Sequence, residues 1–173
     1  YCAGGGLALR PLTTDDVPAG LRLGALAGWN QTEDDWRLLL SCGAGGRFAA
    51  VHNGRVVGTA CGLAYAPDLA WIGMVLVDPE YRRLGIATRL MEAALESLAG
   101  CGAVGLDATA AGRAVYARMG FTELCAVSRM VARRLPRLAV PEGVRAMTED
   151  DLAGVCGLDA AGFGVDRRVL LRA

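Results

Sequence analysis

Apolar and polar positions along the chain follow two periods in turn, and the switch between them predicts the architecture. Residues 7–12 read as a short apolar strand. Thr13 then opens a helix, with Asp16 three residues on as capping-box partner and Pro18 in the first turn. A second helix starts at Thr32, again with an acid (Asp35) three residues later, and runs through Trp36 to Leu40. The loop between them holds Gly28, Trp29, Asn30 and Gln31. Apolar runs over 48–52 and 56–65 flank Asn53-Gly54, the strongest short hairpin signal. A further strand over 69–77 follows the turn at Ala66-Pro67-Asp68.

From Ile86 the spacing becomes helical. Ile86, Ala87, Leu90, Met91, Ala94, Leu95 and Leu98 share one face, with Thr88, Arg89, Glu92 and Glu96 opposite. Gly100 and Gly102 end that helix. Residues 103–106 read as a strand, 111–119 as a helix stopped by Gly120, and 121–131 as closing strand. Hairpins first, then strand–helix–strand, predict an α/β fold whose sheet is mixed: antiparallel early, parallel late.

The opening pattern then recurs. Residues 144–152 align with 9–17, four of nine positions being identical and three more apolar exchanges, and 166–171 echo 35–40. Two matches in the same order favour a repeat over coincidence. Between them lies an arginine- and proline-rich stretch. The expected organisation is therefore a domain over 1–134, a linker over 135–143, and the start of a second, truncated copy over 144–173.

Composition narrows the function. The chain has 173 residues, 53% of them apolar and 21% charged, with 18 basic and 18 acidic side chains. All the basic residues are arginine. A chain of this size buries roughly 70% of its unfolded surface and needs no staples. The longest uncharged run is twelve residues, Val56 to Pro67, too short to span a bilayer. Balanced charge without lysine argues against a nucleic-acid or membrane partner. One histidine, His52, expected exposed at the hairpin turn, and six scattered cysteines without a C-x-x-C pair give no expected metal site. Scattered cysteines suit small core positions in a reducing, cytoplasmic setting.

The stretch richest in chemistry runs from Val75, Leu76 and Val77 through Asp78-Pro79-Glu80-Tyr81 to Arg82, Arg83, Leu84, Gly85, Ile86, Ala87 and Thr88. A buried strand enters a short loop that leads straight into a helix. The first turn of that helix offers unpaired N–H groups and the positive end of the dipole, and small Gly85 and Ala87 let an anion approach the backbone. Arg82 and Arg83 add positive charge. A diphosphate seat is the expectation. There is no lysine for a P-loop, no G-x-G-x-x-G after the strand and no G-x-S-x-G elbow.

Arg82-Arg83-Leu84-Gly85-Ile86-Ala87 resembles the [Q/R]-x-x-G-x-[G/A] signature of the GNAT superfamily of N-acetyltransferases, and Tyr116-Ala117-Arg118-Met119-Gly120-Phe121 resembles its later tyrosine and Gly-Phe motif. The resemblance covers about 7–134. It implies a GNAT-like fold, a mostly antiparallel sheet with a splayed parallel strand pair, flanked by helices, and the C-terminal copy resembles the start of a second GNAT domain. It implies acetyl-CoA as acetyl donor and direct transfer to a primary amine of a small molecule or peptide. Main-chain groups of Val75, Leu76 and Val77 would pair with the pantetheine arm, and amides from Arg83 to Thr88 would hold the pyrophosphate. A backbone N–H near Leu76 would stabilise the oxyanion, and Tyr116 would be the general acid.

Two positions depart from the family pattern. Thr109 stands where many members carry a coenzyme A-contacting asparagine, and Trp71-Ile72-Gly73-Met74 carries no carboxylate where some hold a glutamate base. Asp107 is the nearest carboxylate, though an acid there is commonly a helix cap. Trp29, Asn30, Trp36, Tyr65 and Trp71 fall where this fold builds its acceptor pocket. The alternatives are a non-catalytic acetyl-CoA sensor or interaction module, and a structural half of a tandem pair. A homodimer or an intramolecular pairing with the second copy is the expected assembly.

Overall fold

The computed structural model describes residues 6–43, 45–132, 134 and 139–172. Its centre is one five-stranded sheet in the order β1-β2-β3-β4-β5: β1 (Ala8–Pro11), β2 (Arg47–His52), β3 (Arg55–Ala66), β4 (Leu69–Val77) and β5 (Ala103–Leu106). The first four strands pair antiparallel and β4 pairs parallel with β5, giving the mixed sheet that the chain order predicts. Asn53 and Gly54, at φ 50° and 78°, make the tight β2–β3 turn.

Helices cover both faces. On one side lie α1 (Val17–Leu26) and α2 (Glu33–Ser41), each introduced by a complete capping box, Thr13 with Asp16 and Thr32 with Asp35. On the other lies α3 (Ile86–Ser97), whose Ile86, Leu90, Met91 and Ala94 pack on Ala50, Val57, Ala60, Ala70 and Ile72. Trp36 is fully buried beneath α1, its ring against Gly20, so it is a core residue and not part of an acceptor rim. Next, α4 (Ala110–Arg118) follows β5. Cys42, Cys61 and Cys156 are buried free thiols, whereas Cys125 is exposed.

The expected closing strand over 121–131 is corrected: this stretch is irregular and joins no ladder. Leu124 there is 94% exposed. Apolar spacing alone does not make a strand, because strand residues are stabilised by cross-strand neighbours, and none lies beside this segment among the described residues. The expectation for His52 is corrected as well. It ends β2 half-buried, its ring edge-on to Tyr81 at 5.3 Å.

The C-terminal segment forms α5 (Leu152–Phe163) and the short α6 (Arg168–Leu171). Its entry repeats that of α1 bond for bond. Arg10 donates to the Pro11 carbonyl at 2.9 Å and grips Asp16 through both its terminal nitrogens at 2.7 Å. Arg145 donates to the Ala146 carbonyl at 3.0 Å and grips Asp151 at 2.6 and 2.5 Å. In each copy the threonine N–H and hydroxyl donate to the same aspartate, from Thr13 to Asp16 and from Thr148 to Asp151. The packing differs: Leu12 is 8% exposed and Leu23 2%, while Met147 and Leu158, 135 positions later, are 61% and 77% exposed.

Candidate active site

Two bulges shape the sheet around the site. Between the pairs Thr59↔Leu76 and Cys61↔Gly73, Met74 and Val75 stand opposite Ala60 alone, so β4 carries one extra residue. Met74 takes φ 53°, left-handed for a residue without glycine's freedom. The Thr59 hydroxyl, fully buried, donates to the Met74 carbonyl at 2.8 Å and pins the kink. The extra residue reverses the alternation. Ala70 and Ile72 face α3 before it and Val75 and Val77 do so after it, while Met74 and Leu76 turn to the α1–α2 side.

At the same place the sheet splits. The β4–β5 ladder ends at Ile72↔Leu106, so the backbone of Gly73 to Val77 on that side faces a groove without a strand partner among the described residues. The groove, about 320 Å³, is walled by Val75, Leu76 and Val77 on one side and by Leu106, Asp107, Thr109 and Tyr116 on the other. Trp29 also lines it, as do Arg82 and Ala87, which lie beyond the end of β4.

The charged end is built by the loop into α3. Asp78, 2% exposed, caps the turn Pro79–Tyr81 by accepting from the Glu80 N–H. Burial pushes the Asp78 carboxyl up, but Arg22 at 2.7 Å, the Glu80 amide and Arg55 at 2.8 Å outweigh it and hold it below the usual carboxylate range. Arg82 Nε donates to the Val77 carbonyl at 3.3 Å. Arg83 and Gly85 both adopt positive φ, 64° and 74°, and Gly85 is the N-cap of α3 with no side-chain cap. A Cβ on Gly85 would meet nothing within 4 Å, so that space lies open in front of the first-turn N–H groups of Ile86, Ala87 and Thr88. Leu84 points into solvent, and Thr88 also borders a second cleft, between α3 and α4. An anion approaching an open, cap-free helix N-terminus beside arginines fits this geometry.

On the opposite wall Tyr116 is half-buried on α4, its ring packed over Gly112 and edge-on to Phe121 at 6.2 Å. Burial pushes its phenol above the ordinary tyrosine value, which keeps the proton on. Asp107 is exposed on the groove wall and is not the helix cap. That role falls to Thr109, whose hydroxyl accepts from the Gly112 N–H at 3.2 Å.

The expected acceptor residues separate into two groups. Trp29 lines the groove, and Asn30 in the same loop accepts a 2.6 Å bond from Arg129. Tyr65 and Trp71 do not line it; they are covered by Phe163 of α5. Sequence reasoning missed Thr59, the Arg22–Asp78–Arg55 cluster and Phe163. Each acts across a long sequence separation that no local pattern announces.

The mixed sheet thus splays its parallel pair beside an arginine-flanked helix N-terminus. The chain belongs to the acetyltransferase (GNAT) family, whose model matches residues 18–121. It is 30% identical over 166 residues to the uncharacterized N-acetyltransferase YitH of Bacillus subtilis (strain 168), covering 93% of this chain and 57% of that protein. A putative acetyltransferase from Pyrococcus horikoshii has a similar structure, with TM-score 0.73, 20% identity, and 99% of this chain on 62% of that one. The ribosomal-protein-S18-alanine N-acetyltransferase of Escherichia coli is similar in fold at TM-score 0.62 and 23% identity, over 69% of this chain and 80% of that one. The chain thus spans less than two thirds of the length of the first two. Among the described residues no helix is long and apolar enough to cross a membrane, and no three metal-ligating side chains cluster.

Proposed function

We propose that the chain transfers an acetyl group from acetyl-CoA directly to the nitrogen of a primary amine on a small molecule or peptide. The observation that carries this reading is the groove itself, with an unladdered strand edge on one wall, an open cap-free helix N-terminus at one end and a half-buried phenol on the other wall. Bound acetyl-CoA supplies the thioester carbonyl. The backbone of Val75 to Val77 takes its arm as an added strand, and Gly85, the amides of Ile86 to Thr88 and the two arginines Arg82 and Arg83 hold its diphosphate. The N–H near Leu76, set by the bulge that Thr59 pins, faces the developing negative charge. Tyr116, protonated, gives its proton to the departing sulfur. Asp107, the carboxylate on the groove, draws in the ammonium, which loses a proton to water before the neutral amine attacks the carbonyl. The second proton leaves the nitrogen to water as the thiolate departs, and Tyr116 is reprotonated from solvent.

Tyr116→Phe tests the reading. It should lower kcat by roughly a hundredfold, within the usual range for a general acid, with acetyl-CoA affinity unchanged. Full turnover by the variant would remove Tyr116 from the chemistry. One observation favours a second reading, a non-turning acetyl-CoA sensor: Thr109 spends its hydroxyl on the α4 cap. A sensor binds acetyl-CoA and releases no thiol with any amine.

The same reading takes 135–143 as a linker, residues 135–138 of which lie outside the described residues, and 144–173, of which 173 lies outside them, as the opening of a second GNAT-like unit. The bond-for-bond repetition of Arg10–Asp16 by Arg145–Asp151 supports this. The ring contacts of Phe163 on Tyr65 and Trp71 support pairing within the chain over a homodimer. A cytoplasmic setting is part of the proposal, supported by the free thiols of Cys42, Cys61 and Cys156.

A further inference from the structure

Trp71 and Tyr65 stand on the acceptor face of the sheet, Trp71 by the regular alternation of β4 and Tyr65 through a backbone irregularity. Tyr65 is the extra residue of a second bulge, between the pairs Ala64↔Ala70 and Ala66↔Leu69, which frees its side chain from the regular alternation. Trp71 lies opposite in direction to Ala70 and Ile72, which face α3, so its indole lies on the α1–α2 side. There it spreads over Gly105 of β5, where a Cβ would stand 2.3 Å from the ring. Asp107, on the groove wall, follows directly after the end of β5, two residues on from Gly105. The aromatic pair therefore adjoins the split between β4 and β5 on the side from which an amine reaches it.

Phe163, the last residue of α5, closes this surface. Its ring meets Tyr65 edge-on at 5.7 Å and 87°, and Trp71 at 6.3 Å and 56°. The Arg167 guanidinium lies 3.5 Å above the centre of the Phe163 ring and is itself held by Asp159 through two bonds of 3.0 and 2.5 Å. The Cys42 thiol lies 4.0 Å from the Val169 carbonyl, which sets the start of α6 beside the end of α2. Burial raises the Tyr65 phenol, Arg167 opposes that and the Asp107 charge adds to it, so the helix and the groove both act on one hydroxyl.

We propose that α5 completes the acceptor side of the site, with Phe163 the specificity-determining residue that seals the far end of the Tyr65–Trp71 surface and limits the size of the amine. This rests on the acetyltransferase reading. The ammonium pairs with Asp107, and the carbon body of the amine lies against apolar and aromatic walls. The favoured acceptor is accordingly a compact primary amine with an apolar body, and an amine with a long or bulky body meets the Phe163 ring.

The test compares wild type, Phe163→Ala, Phe163→Val and Phe163→Leu in the full chain. It measures acetyl-CoA Kd by calorimetry and amine KM and kcat over a series of alkyl and arylalkyl primary amines of increasing size. Truncating the ring should shift the preference by tenfold or more in kcat/KM toward the larger amines, the scale on which a pocket discriminates a methylene or more. Acetyl-CoA Kd should stay unchanged, and Phe163→Leu should restore most of the wild-type order. A Phe163→Ala chain with the wild-type amine order would overturn the inference and leave the acetyltransferase reading standing. Wild-type chain that binds no acetyl-CoA would overturn both. If Phe163→Ala loses acetyl-CoA binding through general damage, Phe163→Val decides, because it keeps an apolar contact while removing the ring and most of its reach. An unchanged size preference in that variant counts against Phe163.

Discussion

Replacing Gly85 by alanine separates the diphosphate seat from ordinary backbone strain. Gly85 has φ 74°, and its added Cβ would touch nothing within 4 Å. The protein alone thus pays no steric penalty, only the left-handed conformation, roughly 1–2 kcal/mol for a residue with a Cβ. For a chain of this size that lowers Tm by about 2–8 °C. Gly54 in the β2–β3 turn supplies a matched control, with φ 78° and equally open space. Gly54→Ala should cost the same stability at a residue that does not line the groove. If the open space before α3 receives a diphosphate, the methyl of Gly85→Ala displaces it from at least one charge-assisted hydrogen bond. Such a bond is worth about 1.5–3 kcal/mol, or roughly tenfold to a hundredfold in affinity. Thermal melts and calorimetric titration with acetyl-CoA on both variants read the two effects separately. Equal melting losses with affinity lost only in Gly85→Ala are expected. Acetyl-CoA affinities within about twofold of one another in the two variants would refute the assignment of Gly85.

Two further predictions concern the groups that hold the site's frame. Thr59→Val keeps the buried volume but leaves the Met74 carbonyl without its 2.8 Å donor, a loss of about 1–3 kcal/mol, and should lower kcat more than it raises amine KM; unchanged melting and kcat would show that the bulge holds itself. The Asp16 carboxyl is held at about 2 by Arg10 and the Thr13 donors, below its usual 3.8, so its contribution is present above the unfolded value and is lost as pH falls through the folded one. Melting temperature should therefore fall between about pH 4 and pH 2, and less steeply in Asp16→Asn; parallel curves would refute the linkage.

Local signals were the legible part. Thr13 with Asp16, Thr32 with Asp35 and Asn53-Gly54 act over three residues or fewer, and the helices and hairpin they predict are present. The helical face of Ile86, Leu90, Met91 and Ala94 is buried as its spacing requires. The strand expected over 121–131 failed because a strand exists only in a pair, and pairing is not local. Trp36 read as a possible rim residue because its aromatic loop neighbours were in view, whereas Gly20, the small residue that admits its ring, lies sixteen positions away. The bulge at Met74 is likewise hidden: a methionine gives no sign of positive φ, and Thr59, which fixes it, sits on another strand. Phe163 was invisible for the same reason, since its partners Tyr65 and Trp71 are about ninety residues earlier.

Thiol release measured with acetyl-CoA in excess, across a panel of primary amines and without amine, tests the central claim most directly. Release that requires an amine, with acetylated amine formed in equal amount, is the predicted result. A folded chain that binds acetyl-CoA yet releases no thiol with any amine would contradict direct acetyl transfer.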